Sequence, residues 1–210
     1  MRKSKSPKSL SAPGELFIVS APSGAGKTTL CQKLCAIVPR LTHSVSYTSR
    51  APRKGEKNNV HYTFVSKSEF KSMISKGKFA EWAVVHGNLY GTSAKKLAGL
   101  TKKGYDVILD VDVQGARQMK HIFKEAVYIF ILPPSMKVLE NRLRARMSDN
   151  PDEIKNRLQN AKEEIRQFKN YDYVVINNDL KKALKEMEGI IISRRLQVSN
   201  IDSKLIKNLK

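Results

Sequence analysis

A three-layer α/β architecture, with a parallel core sheet flanked by helices, an inserted α+β subdomain and a short lid, is what this sequence predicts. Three observations carry it. Short apolar runs alternate with stretches of helical periodicity, a glycine-bearing turn joins the first run to the first helix, and two polar stretches interrupt the alternation. Strands that read as continuous apolar runs are covered on both faces, and strands alternating with helices join in parallel.

The elements follow in order. Leu16 to Val19 form an apolar run that ends in a turn, and a helical pattern then continues to about Val38. Val107 to Leu109, Val127 to Leu132 and Tyr173 to Ile176 are further candidates for buried strands. Ile154, Leu158, Ala161, Ile165 and Phe168 step by four and three residues, as one face of a helix requires, and Leu180, Leu184, Met187 and Ile191 do the same. The polar stretch from Ser46 to Thr92 reads as short strands with one helix near Ser68 to Ser75. Met147 to Pro151 is a brief polar break between two helices. The expected organisation is a disordered basic tail over 1–13 and one domain over 14–196, followed by a basic tail over 197–210. Within the domain, the core takes 14–45, 93–141 and 159–196, the insertion 46–92 and the lid region 142–158.

With 210 residues the chain has the length of one well-cored domain. No apolar run approaches the ~20 residues of a membrane span. The N-terminus is basic without an apolar stretch, so it does not read as a secretory signal. Cys31 and Cys35, the only cysteines, sit four apart in a helical pattern and read as small buried residues. A cytoplasmic protein is therefore expected. The net charge of +20 would suit a nucleic-acid binder, yet part of it lies at the ends, in Arg2, Lys3, Lys5 and Lys8 and in Arg194, Arg195, Lys204, Lys207 and Lys210. A protein handling phosphorylated small molecules would want positive charge on its body too. Charge alone does not separate the two readings, and no DNA- or RNA-binding motif is present.

The turn after the first strand is Ala21-Pro22-Ser23-Gly24-Ala25-Gly26-Lys27-Thr28. It matches the phosphate-binding loop pattern except at its first position, where Ala21 stands for Gly. Glycines let backbone N–H groups converge on a phosphate, and the following helix adds its N-terminal dipole. Lys27 is expected to reach the β- and γ-phosphates and the Thr28 hydroxyl to ligate Mg²⁺. Ala21 is harmless as long as its φ is negative. Asp110 follows Val107 to Leu109 directly, where a strand neighbouring the loop would carry a carboxylate for the same ion. His43, His61, His86 and His121 fall in no catalytic spacing and read as structural or surface residues.

Thr48-Ser49-Arg50-Ala51-Pro52-Arg53-Lys54-Gly55-Glu56, followed by Asn58, Asn59 and Tyr62, resembles the signature of the guanylate kinase family, within the P-loop nucleoside monophosphate kinases. Asn59 occupies a position where the signature has Gly, and Asn is the best substitute where φ is positive. The resemblance runs from about Gly14 to Leu196 and includes Asp110 to Gly115 and Ile131 to Ser135. It implies a P-loop kinase fold and transfer of phosphate from ATP, with Mg²⁺, to GMP and dGMP. It implies ATP binding by Ala21 through Thr28, Thr29 and Asn177, and lid arginines Arg142, Arg146 and Arg157 closing over the phosphates. For GMP it implies Arg50, Arg53, Glu56, Tyr62 and Tyr90 around the phosphate, and Ser46, Glu81, Thr92 and Asp112 around the base. The last group makes chemical sense, because guanine offers two adjacent donors, N1–H and the N2 amine, to a carboxylate. The acceptor phosphate is already ionised near neutral pH, so no general base is needed. Another nucleoside monophosphate kinase would lack Glu81 in this setting, and a non-catalytic module of the family would typically lose Lys27 and Thr28. The sequence leaves open whether the chain is a monomer or a homo-oligomer.

Overall fold

In the structure, a computed structural model describing residues 13–53, 55–85, 87–145 and 151–201, two sheets divide the work. The core sheet is built from β1 (Leu16–Ser20), β2 (Leu41–His43), β7 (Asp106–Asp110), β8 (Val127–Leu132) and β9 (Tyr173–Ile176). Its order is β2-β7-β1-β8-β9, and every neighbouring pair is parallel. The smaller sheet contains β3 (Tyr47–Thr48), β4 (Thr63–Phe64), β5 (Phe79–Val85) and β6 (Asn88–Ser93) in the order β4-β3-β6-β5. The one helix of that region is α2 (Lys67–Ser75), capped by the Ser66 hydroxyl, which accepts from the Glu69 N–H. The polar stretch thus folds as short strands with one helix, as expected.

The strand period of two explains the three layers. Phe17 and Val19 of β1, Ile108 of β7 and Val127, Ile129 and Ile131 of β8 share one cluster with Leu30 and Leu34 of α1 (Lys27–Ile37). Ala183, Met187 and Ile191 of α7 (Leu180–Arg195) complete that cluster. The intervening residues Ile18, Val107, Leu109 and Tyr128 face the other way. They pack with Leu97 of α3 (Ala94–Lys102) and with Ala116 and Met119 of α4 (Val113–Ile122). Each fully buried aliphatic side chain stabilises the fold by about 1.5–3 kcal/mol. A smaller cluster joins α5 (Met136–Arg144) to α6 (Pro151–Arg166) through Leu139, Leu143 and Ala161. No helix among the described residues is long and apolar enough to cross a membrane.

Three expectations need correction. Tyr173 to Ile176 is a strand but not a buried one, because it is the edge of the core sheet and only Val175 is covered. β2, on the opposite edge, has only three residues and gives no apolar run to read. Arg194 and Arg195 are not tail charge: Arg194 donates to Glu15 at 3.1 Å and Arg195 to Asp106 at 2.7 Å. Cys31 is buried as expected, whereas Cys35 is only partly covered. Of the two tails, 1–12 and 202–210 lie outside the described residues.

Asp106 clamps the end of α7 to the sheet. Its Oδ1 accepts the Glu15 N–H at 2.8 Å while its Oδ2 holds Arg195, and the residue is only 7% exposed. Removing one partner of such a pair leaves the other charge without compensation. Asp106→Ala is therefore expected to cost about 3 kcal/mol of stability, read as a lower urea midpoint. GMP affinity should be unchanged, because Asp106 begins β7 and the site lies beyond its other end.

Candidate functional site

β1 is central, with β7 on one side and β8 on the other, so the chain leaves its carboxyl end into a crevice where parallel α/β sheets bind ligands. The six residues after Ser20 turn into α1. Gly24 and Gly26 both have φ of +93°, a backbone conformation that favours glycine. A Cβ on Gly26 would also sit 2.5 Å from Asn177 Nδ2. Ala21 has no such constraint: among the described residues only Arg40 and Asn59 combine a side chain with a positive φ. The departure at Ala21 is thus harmless, and Asn59, with φ of 60°, takes up the left-handed turn expected of it. No side chain caps α1, which leaves its first N–H groups to a ligand.

Lys27 Nζ donates to the Val111 carbonyl at 2.7 Å, which keeps the ammonium at the mouth of β7. The Thr28 hydroxyl donates to Asp110 Oδ2 at 2.5 Å, and His43 Nε2 lies 2.9 Å from Asp110 Oδ1. Burial pushes the Asp110 carboxyl up. The hydrogen bond and charge of His43, the charge of Lys27 and the Thr28 hydroxyl outweigh burial and hold it below the usual aspartate range. A hydroxyl and a carboxylate side by side are hard oxygen donors, the kind Mg²⁺ takes while keeping its other positions for water and phosphate. Reading His43 as a structural or surface residue missed its contact with this carboxylate. Of the other histidines, His61 Nδ1 accepts the Lys57 N–H, His121 is exposed, and His86 lies outside the described residues.

Across the cleft, the smaller sheet supplies acids and hydroxyls. Glu81 on β5 pairs in register with Thr92 on β6, whose hydroxyl donates to Glu81 Oε1 at 2.5 Å. Ser46 Oγ stands 3.4 Å from the same hydroxyl. Asp112 caps α4, with Oδ1 accepting the Gly115 N–H at 2.8 Å. A Cβ at 115 would lie 2.6 Å from Glu81 Oε2, so any larger residue there would push that carboxylate aside. Glu81 is 5% exposed, and burial pushes its carboxyl up to about 7. Thr92 opposes that rise, Asp112 adds to it, and Lys27 lowers it.

The basic loop is organised by Glu56. Its Oε1 accepts from Arg50 at 2.9 Å and its Oε2 from the backbone N–H of Arg53 at 2.6 Å. Glu56, for which the resemblance implies a GMP contact, has both its oxygens on the arginines and so orients them. Arg50 also donates Nε to the Tyr90 hydroxyl at 3.2 Å and lies over the Tyr62 ring, 5.6 Å from its centroid. Arg53, Tyr62 and Tyr90 line the same cleft as the phosphate loop, Thr29, Ser46, Glu81, Asp110 and Asp112.

The lid side departs furthest from expectation. Asn177, expected near the adenine, is buried and donates Nδ2 to the Ala25 carbonyl at 2.7 Å. Arg142 donates to the Asn177 carbonyl at 2.9 Å and to Ala25 at 3.4 Å. Together they brace the underside of the loop instead of facing the cleft. Arg157 does line the cleft, from α6, whereas Arg146 lies outside the described residues. Two helical turns beyond Arg157, Glu164 also lines the cleft and accepts the Ser23 N–H at 3.3 Å. Sequence reading missed Glu164, because an acid in a charged helix carries no signal of its own.

Comparison with known proteins agrees with this geometry. The profile of the guanylate kinase family matches residues 14–194. A guanylate kinase from Geobacter metallireducens is 50% identical over 188 residues, covering 90% of this chain and 93% of its own. One from Neisseria meningitidis is 50% identical over 186 residues, covering 89% and 91%. The crystal structure of guanylate kinase from Anaplasma phagocytophilum superposes with a TM-score of 0.73 at 34% identity, covering 89% of each chain. Half of the aligned residues are identical across nearly the full length of both partners, and the loop and the acid-bearing sheet fall within the matched region. On these grounds the chain belongs to the guanylate kinase family.

Proposed function

We propose that this protein is an active guanylate kinase, working in the cytoplasm, that moves the γ-phosphoryl group of ATP to GMP or dGMP and releases ADP with GDP or dGDP. One observation carries the reading: a single cleft joins a complete phosphate loop to a buried carboxylate, Glu81, on a separate sheet. The loop N–H groups and Lys27 bind the ATP phosphates, with Lys27 leaving the Val111 carbonyl to do so. Thr28 and Asp110 are the residues that would hold Mg²⁺, which when bound neutralises charge on the phosphates. Arg50 and Arg53 grip the GMP phosphate with planar forks, and Tyr62 and Tyr90 donate hydroxyls to it. Glu81 accepts from guanine N1–H and N2–H, with Asp112 assisting and Ser46 and Thr92 lining the base. Arg157 approaches from α6, Arg146 is its companion on the lid, and Arg142 and Asn177 act through the loop they brace.

Catalysis in this reading comes from alignment and charge stabilisation. Assayed with ATP and Mg²⁺ against GMP, AMP, UMP and dTMP, the protein should turn over GMP; a preference for AMP would sink the assignment of Glu81. Lys27→Met should lower kcat by about 10²–10³-fold while GMP binding, measured by calorimetry, persists. Undiminished turnover would refute the role of the loop lysine.

Glu81 links function to stability through pH. Its folded pKa of about 7 lies above the ordinary 4.5, so folding favours the neutral form. That contribution is complete below pH 4.5 and is lost as pH rises through 7, when the ionised group costs the fold about 3 kcal/mol. Glu81→Gln should therefore raise the Tm at pH 8, with the gain fading toward pH 4.5. The same change should lower kcat/KM for GMP about 10²-fold, the loss of a hydrogen-bond acceptor that carries charge. Guanosine, which has no phosphate to titrate, should bind the unaltered protein more tightly as pH rises through 7, and a flat profile would show that Glu81 does not face the base.

A further inference from the structure

We infer that His43 is a positioning residue for the nucleotide-bound metal, fixing the Asp110 carboxylate so that its second oxygen stays on the Thr28 hydroxyl. The inference rests on the proposed Mg²⁺ role of Thr28 and Asp110 and adds a residue to it. His43 ends β2, the edge strand beside β7, and pairs in register with Ile108. The Ser44 N–H donates to the Ile108 carbonyl at 3.0 Å, so the backbone on both sides of the imidazole is anchored to β7. The ring reaches along the sheet to Asp110 Oδ1 at 2.9 Å, with side-chain exposures of 14% for His43 and 5% for Asp110.

A carboxylate turns readily about its last bond, because an sp³–sp² torsion has a broad minimum. Held by Thr28 alone, Asp110 could pivot about one hydrogen bond. Held at both oxygens, it has a fixed plane. An ionised carboxylate only accepts, so His43 Nε2 carries a hydrogen and donates. Thr28 likewise gives its proton to Oδ2, which turns the lone pairs of the hydroxyl away from Asp110, toward the side from which a hard cation must approach. The direction of those lone pairs is thus set by Oδ2, and the place of Oδ2 is set by His43. Partners of this outer kind change metal affinity by about 10–100-fold without touching the ion.

His43→Leu removes the donor with little change of volume, and His43→Gln keeps a side-chain N–H. Binding of Mn²⁺ to the protein complexed with a non-hydrolysable ATP analogue, followed by electron paramagnetic resonance, reads metal affinity without turnover. The Leu variant should bind Mn²⁺ about 10-fold more weakly, and need a correspondingly higher Mg²⁺ concentration for half-maximal rate, while KM for GMP is unchanged. Gln should recover most of the affinity. Asp110→Asn is the reference. If it weakens Mn²⁺ binding and His43→Leu does not, the role of His43 is wrong and the metal reading stands; if neither weakens it, both fall. A Leu variant that only loses Tm would show a purely structural histidine and overturn the inference. Should it fail to fold, His43→Asn, whose amide is too short to reach Asp110, takes its place with the same outcomes.

Discussion

β1 lies between β7 and β8 in a sheet whose strands all run one way, and the site depends on that placement. Because the strands are parallel, their carboxyl ends share one edge. Val19 pairs with Asp110 and Ser20 with Phe130, so the loop leaving β1 rises between the ends of its two neighbours. The 2.5 Å hydrogen bond from Thr28 to Asp110 closes this arrangement across 82 residues of sequence. α4 is then capped by Asp112, two residues past Asp110, and packs against β5. The bare Gly115 lets Glu81 of the second sheet come within reach of that helix. The loop, the Asp110 carboxylate and the Glu81 carboxylate thus meet through one chain of backbone contacts.

Within a chain of net charge +20, the cleft gathers acids: Asp110, Asp112, Glu81 and Glu164 surround Lys27. Acids so placed let the cleft accept hydrogen bonds as well as donate them. Burial pushes the carboxyls of Asp110, Glu81 and Glu164 up. Asp110 escapes because two hydrogen-bond donors, His43 and Thr28, and the charge of Lys27 offset burial, whereas Glu81 has one hydroxyl and a second acid nearby. The two carboxylates therefore diverge, one held as an anion and one close to neutrality near pH 7. Once ionised above pH 7, Glu81 is destabilising to the fold, so stability does not account for its place.

Sequence reading recovered features that are local. The loop, its glycines, the tolerated Ala21 and the left-handed Asn59 depend only on neighbouring residues, and the strand and helix periods follow from burial. Glu81, Arg50 and Arg53 are legible through a signature and not through spacing, and the structure puts Glu81 and Arg53 on the cleft wall. It missed features that topology creates. His43 stands 67 residues from Asp110 and becomes its neighbour only because β2 lies beside β7. Glu164 is 141 residues from Ser23. Asn177 follows the last strand, as expected, yet its amide turns under the loop because the Ala25 carbonyl needs a donor. Arg194 and Arg195 looked like tail charge, since nothing in the sequence announces that Glu15 and Asp106 lie beside the end of α7.

Two donors at the loop already have protein partners, unlike the uncapped N–H groups at the start of α1. Lys27 rests on the Val111 carbonyl and the Ser23 N–H on Glu164. At these two donors phosphate would exchange one hydrogen bond for another, and the net gain there is the difference between two contacts, smaller than either alone. Such exchange keeps ground-state affinity modest while leaving Lys27 free to interact most strongly where charge develops during transfer. An enzyme that must release both products gains more from that difference than from tight binding of substrate. Glu164 adds to that difference, because a phosphate taking the Ser23 N–H must displace a carboxylate from it, and Arg157, two turns back along the same helix, also lines the cleft.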